Sequence, residues 1–98
     1  MRRAAKVDAN QSAIVEALRA VGCKVKCTHR LGDGFVDLVV WSPFADRVYL
    51  GEVKAPGGEL TPAEEKFHDE WEEAAEHGQL CIWETIDEAL DAVGAYPF

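Results

Sequence analysis

Two turn signals, Leu31-Gly32-Asp33-Gly34 and Ser42-Pro43-Phe44-Ala45-Asp46, divide residues 23–54 into three short runs of strand-forming residues. Connections this short cannot carry a crossover, so the three runs are restricted to an antiparallel meander. In the first run Cys23, Val25 and Cys27 alternate with Lys24, Lys26 and Thr28 as far as Arg30, which gives a strand with one dry face and one cationic, wet face. The second, Phe35-Val36-Asp37-Leu38-Val39-Val40-Trp41, is β-branched and aromatic and reads as a buried strand. The third runs from Arg47 through Val48-Tyr49-Leu50-Gly51-Glu52-Val53 to Lys54.

Helical patterns flank the meander. From Asn10 to Val21 the apolar residues Ile14, Ala17, Leu18 and Val21 recur at three- and four-residue spacing, with Gly22 as a stop. Thr61-Pro62-Ala63-Glu64 opens a second helix: Thr caps it, Pro occupies its first position and Glu completes a capping box. It is expected to continue unbroken to about Glu76 with Phe67, Trp71, Ala74 and Ala75 facing inward. His77-Gly78-Gln79 ends it, and Leu80-Cys81-Ile82-Trp83-Glu84 reads as a buried strand. A strand-helix-strand connection in one sheet is right-handed, which sets this strand parallel to the third. Thr85-Ile86-Asp87-Glu88 repeats the capping box before a last helix with Ile86, Ala89, Leu90 and Val93 as its core stripe. The expected fold is α/β, an α+β mixed sheet in the order α-β-β-β-α-β-α, as a single domain over residues 1–98. Trp41, Trp71 and Trp83 are expected in the core.

A chain of 98 residues buries only a modest share of its surface, so association with a second copy would benefit it. No apolar run approaches the roughly 20 residues that span a bilayer. The basic start Met1-Arg2-Arg3-Ala4-Ala5-Lys6 leads into polar residues rather than an apolar stretch, so an intracellular, cytoplasmic protein without a secretion signal is expected. Cys23, Cys27 and Cys81 read as structural thiols; a zinc site on Cys23, Cys27 and His29 lacks a local fourth ligand. The net charge of −8 argues against a generic nucleic-acid binder. Its distribution is uneven. Residues 1–30 hold seven basic side chains (Arg2, Arg3, Lys6, Arg19, Lys24, Lys26 and Arg30) against two acidic ones, a net of +5, and the rest of the chain nets −13. One end would grip phosphates while the other repels them, unless both are solvated faces without a partner.

Charges interrupt the apolar strands: Asp37 in the second, Glu52 and Lys54 near the end of the third. Charged groups are seldom buried without partners. Glu52 and Lys54, two apart, share a strand face, and Asp37 and Glu52 lie about equally far from the turn, so the two carboxylates face each other across the hairpin. Paired carboxylates resist ionisation unless Lys54 or a divalent cation compensates. Mg²⁺ suits such a pair, taking one or two carboxylates and filling its other positions with waters and phosphate oxygens. The backbone carbonyl of Val53 would offer another oxygen. A cation so placed favours hydrolysis of a phosphodiester, with Lys54 on the attacking water. A Glu52–Lys54 ion pair with Asp37 at a strand end is the purely structural alternative.

On Val36-Asp37-Leu38-Val39-Val40 followed by Gly51-Glu52-Val53-Lys54-Ala55-Pro56-Gly57-Gly58-Glu59-Leu60-Thr61-Pro62-Ala63-Glu64-Glu65-Lys66-Phe67-His68-Asp69-Glu70-Trp71, the chain resembles the standalone, phage-type virus-type replication-repair nuclease domain (VRR-NUC), a branch of the PD-(D/E)XK nuclease superfamily. The likeness extends to the opening helix at Asp8–Gly22 and the glycine loop at Gly32–Leu38. It implies a PD-(D/E)XK core, a metal-dependent deoxyribonuclease using Mg²⁺ or Mn²⁺, and a phage protein working in a bacterial cytoplasm. Asp37 and Glu52 would carry the metal and Lys54 the catalytic water. A homodimer acting on branched or flapped DNA in replication, recombination or repair is implied too, with Arg2, Arg3, Lys6, Lys24, Lys26 and Arg30 as its DNA contacts. Glu64 stands where relatives carry Gln or Glu and is a possible accessory. Val36 replaces the name-giving Pro, and Ala13 replaces an acidic residue of the first helix, for which Glu16 is a poor substitute because it faces elsewhere. These departures leave room for a non-catalytic DNA-binding or regulatory relative, and the acidic helix 62–76 for a protein-interaction module.

Overall fold

The meander forms as read. Strands β1 (Lys24–Cys27), β2 (Leu38–Ser42) and β3 (Arg47–Val53) pair antiparallel in sequence order, and β4 (Leu80–Trp83) adds to β3 in parallel, giving a four-stranded mixed sheet ordered β1-β2-β3-β4. The computed structural model describes residues 9–95. Helices α1 (Gln11–Ala20), α2 (Pro62–Glu70), α3 (Glu72–Glu76) and α4 (Ile86–Ala92) complete it, with a 3₁₀ turn at His29–Leu31.

One sheet face carries the core. Leu38, Val40, Tyr49, Val53 and Trp83 pack there against Ile14, Val15 and Leu18 of α1 and against Ala89, Leu90 and Val93 at α4. Gly51 lies beneath the Trp83 ring so closely that a Cβ on it would fall 2.3 Å from Cζ3; this sheet position excludes any side chain. Thr85 caps α4 with the expected reciprocal box, its hydroxyl accepting the Glu88 N–H at 3.1 Å. Ile86, expected in the core stripe, is exposed at the first position of α4, directly after the Thr85 cap.

The other face is covered by α2 and α3, and here the expectations need correction. The helix read as one unit to Glu76 is jointed at Trp71, whose φ of −108° and ψ of 31° depart from helical values, although its N–H still reaches the Phe67 carbonyl at 3.0 Å. Neither segment contains a buried residue. Trp71 stacks on Phe67 at 5.1 Å and remains 44% exposed, and Trp41 on β2 is 39% exposed. Of the three tryptophans only Trp83 is core, because two short helical segments cannot cover a four-stranded face. The first strand also ends at Cys27 rather than continuing to Arg30, and Cys27 is exposed. Among the described residues no helix is long and apolar enough to cross a membrane.

Candidate metal centre

Strand register brings the carboxylates together. Leu38 pairs with Gly51, so one step outward Asp37 stands opposite Glu52. Asp37 precedes β2 by one residue, yet strand pairing reaches it: its carbonyl accepts the Thr28 N–H at 2.6 Å. Its carboxylate Oδ2 accepts the Val53 N–H at 2.8 Å. In extended backbone a residue's N–H and C=O address the same neighbour, so the Val53 carbonyl is also directed toward Asp37. Val36 is fully buried, and its carbonyl accepts the Thr28 hydroxyl at 2.8 Å.

Glu52 sits in the outer-face rows of the sheet but under α2, only 1% exposed. Its Oε1 is buried without a hydrogen-bond donor. Burial, then the adjacent Asp37 and Glu64 carboxylates, push its pKa from the ordinary 4.5 up to about 9. With its proton on, Glu52 can share it with Asp37 or Glu64; ionised, it needs positive charge beside it.

Lys54 supplies part of that charge. Its ammonium is 3.8 Å from Glu52 Oε2 and 2.8 Å from Glu64 Oε1. Glu64 is fixed from the other side, since the same Oε1 accepts the Thr61 N–H at 2.8 Å while the Thr61 hydroxyl accepts the Glu64 N–H at 3.2 Å. The capping box of α2 is thus also a wall of the site. Although partial burial works against ionisation of Glu64, the hydrogen bonds from Lys54 and the Thr61 backbone outweigh it and lower its pKa below the ordinary value.

Two further residues shape the centre and were not marked by the sequence reading. Asn10 is an N-cap type of residue, but its side chain does not cap α1. Its amide instead donates to the carbonyls of Lys54 at 3.0 Å and Glu84 at 2.7 Å, clamping the ends of β3 and β4. Gly34, with φ of +80°, lies against the start of α2 so tightly that a Cβ would fall 2.3 Å from the Ala63 carbonyl oxygen. A glycine and a polar residue just outside a helix were the only sequence signals of these long-range contacts. His68 lies one turn beyond Glu64 and bonds through Nδ1 to the Glu64 carbonyl at 3.0 Å, leaving Nε2 buried without a partner.

The remaining expected site residues are spread more widely. Lys24 and Lys26 are exposed and share the sheet face of Glu52, about 13 and 7 Å up the strand from the Thr28–Asp37–Glu52 row. Arg30 is exposed on the 3₁₀ turn two residues beyond Thr28. Arg2, Arg3 and Lys6 lie outside the described residues. Ala13 and Glu16 are both exposed on α1, and Glu16 lines a hollow with Ser12, Arg19 and Cys27 rather than this centre.

The donor set fits a hard divalent cation of the Mg²⁺ type. It offers two opposed carboxylates, one with an unpartnered buried oxygen, and a backbone carbonyl directed the same way. Among the described residues no group of three His, Cys, Asp or Glu side chains is arranged to hold a metal, so waters or phosphate oxygens would have to complete the shell. No protein-family model, no curated protein and no solved structure matches the chain.

Proposed function

We propose that this protein is a metal-dependent nuclease of the VRR-NUC type within the PD-(D/E)XK superfamily, hydrolysing DNA phosphodiester bonds with Mg²⁺ or Mn²⁺. The observation that carries the reading is Glu52: a carboxyl 1% exposed, with Oε1 unpartnered, opposite Asp37 and beside Lys54. A structural carboxylate buried this deeply would be expected to find donors for both oxygens.

Asp37, Glu52 and the Val53 carbonyl would hold the cation, which supplies polarisation of the phosphodiester and stabilisation of charge on its oxygens. The Asp37 carboxylate is oriented for this by the Val53 N–H, and Glu52 is fixed by burial. Lys54 brings a cation to the mouth of the site. Anchored by Glu64 at 2.8 Å, its ammonium is placed to orient a water or hold a phosphate oxygen. Lys24, Lys26 and Arg30, with Arg2, Arg3 and Lys6 of the basic N-terminal segment, are the proposed phosphate contacts, which would offset the acidic remainder of the chain. Structure-selective action on branched or flapped DNA belongs to the same proposal.

The test is incubation with branched, flapped and linear DNA in Mg²⁺ or Mn²⁺, beside Lys54→Ala. Cleavage by the wild type and its loss in the variant support the reading; no cleavage of any substrate by either overturns it. A second reading, a non-catalytic DNA-binding relative, draws on the first turn of α1, which carries no acidic residue where Ala13 stands. DNA binding without cleavage would favour it.

A further inference from the structure

The outer sheet face holds a preformed apolar hollow that the helices border but do not fill. Val48 and Leu50 of β3 line it together with Trp71, Ala74 and Gln79, around a space of about 330 Å³. Its lining is braced from behind. The Trp71 ring stacks on Phe67 at 5.1 Å, Phe35 meets Phe67 edge-on at 5.3 Å, and the Gln79 amide donates to the Val48 carbonyl at 3.0 Å. The hollow is continuous with exposed apolar surface, since Val48, its cross-strand partner Trp41 and Trp71 are 43%, 39% and 44% exposed. Contiguous surface of this kind marks an interaction site, whereas single exposed apolar residues do not.

The helical edge of the hollow is acidic against the interest of the helix itself. Glu72, Glu73 and Glu76 make up most of α3, are exposed, and have no ion-pair partner among the described residues. Glu76 stands three and four residues from the other two, and like charges at those spacings repel. No residue of α3 is buried, so neither packing nor pairing accounts for this composition. A cationic partner would. We propose that the hollow docks a basic peptide segment of another protein, one aromatic or large aliphatic side chain seated between Trp71 and Val48 and its flanking Lys or Arg residues on the α3 carboxylates. An apolar anchor in a pocket, with charges around it, is the arrangement that concentrates binding energy in protein interfaces. Nucleic acid is disfavoured as the occupant, because the same glutamates repel phosphate. Lys24 and Lys26, exposed on β1 beyond Trp41, bound the surface on its opposite side and direct the basic residues of the peptide toward α3. Val48 lies four residues up β3 from Glu52, about 13 Å away, so an occupied hollow leaves the Asp37–Glu52 centre open.

The docking site does not depend on nuclease activity, and its test needs neither DNA nor metal. The probe is a capped Lys-Lys-Ala-Phe-Ala-Lys-Lys peptide, with the same peptide carrying Ala for Phe as a charge-matched control. Each is titrated into the whole protein and followed by backbone amide NMR shifts. The probe is expected to bind saturably with a Kd on the order of 0.1 mM and to shift Val48, Trp71 and Ala74. The control should bind at least about tenfold more weakly, the scale set by burying one apolar side chain. Ala74→Arg, which brings bulk and positive charge into the hollow, should weaken the probe by a similar factor. So should Glu72→Lys with Glu76→Lys, both exposed, with an unchanged circular dichroism spectrum. Absence of saturable probe binding overturns the proposal. Equal affinity for probe and control does so too, by reducing the contact to charge alone, as does a probe affinity unmoved by both variants. Sedimentation in which the wild type self-associates and Ala74→Arg disperses it would assign the hollow to a second copy, and equally overturn it.

Discussion

Lys54 is bound more closely by Glu64 than by its strand neighbour Glu52, at 2.8 Å against 3.8 Å. The Glu64 oxygen responsible also accepts the Thr61 N–H, so helix capping and lysine placement share one atom. Glu64→Gln retains an oxygen able to complete the box, whereas Glu64→Ala removes both functions. Thermal melts should show Gln near wild type and Ala destabilised by about 1 kcal/mol, the usual scale of a lost cap. On the nuclease reading, both should cut more slowly, and Lys54→Ala should lose about a hundredfold or more in initial rate. Glu64→Gln with an unchanged rate would show that Lys54 needs no anionic anchor.

Protonation of Glu52 links stability to pH. Burial, then Asp37 and Glu64, place its pKa near 9 in the folded chain against 4.5 ordinarily. Between those values the folded state binds the proton that the unfolded state has released, so stability is fullest below about 4.5 and falls as pH rises through about 9. Metal-free melts should follow that slope. Glu52→Gln, which mimics the protonated form, should flatten it and raise Tm at about pH 8 by on the order of 5 °C. Added Mn²⁺ should raise the wild-type Tm and leave the variant unmoved. A wild-type stability independent of pH across this range would refute the raised carboxyl.

Gly51 and Trp83 define a contact with no slack. A methyl group on Gly51 would lie 2.3 Å from the indole, and Trp83 is locked in the core. Gly51→Ala should cost about 1–3 kcal/mol or more as the ring is displaced, read as a lower urea midpoint with unchanged slope. A midpoint within error of wild type would mean that the sheet relaxes more freely than this packing implies.

Gly34 tests the link between the β1–β2 loop and the lysine. Alanine there is opposed both by φ of +80° and by the Ala63 carbonyl, and the element that must yield is the start of α2. The expected result is a loss of about 1–3 kcal/mol together with a weaker Lys54–Glu64 contact, visible as a changed Lys54 side-chain NMR shift. Gly32→Ala, whose Cβ would meet nothing within 4 Å, is the control for backbone conformation alone. An unmoved Lys54 signal in Gly34→Ala would separate the loop from the site.

The features readable in sequence were those set by near neighbours or by counting. The capping boxes at Thr61 and Thr85 lie within four residues, and the opposition of Asp37 and Glu52 follows from equal distances to one turn. The burial of Glu52 was only half legible, since the strand pattern showed a charge among apolar residues but not the helix above it. Trp41 and Trp71 were misplaced because an apolar stripe records what a residue tends to cover, not whether anything arrives to cover it. Asn10 and Gly34 act across the fold, and neither helix period nor turn type registers their partners.

The Asn10 amide reaches carbonyls 44 and 74 residues away in the chain. During synthesis the ends of β3 and β4 cannot be fastened together until Glu84 has emerged, long after Asp37, Glu52 and Lys54 have been joined to the chain. Contacts of such span close late and slowly. The nascent chain therefore carries all the proposed catalytic side chains well before their geometry is complete, and a ribosome stalled ahead of residue 84 would hold a centre still lacking its clamp.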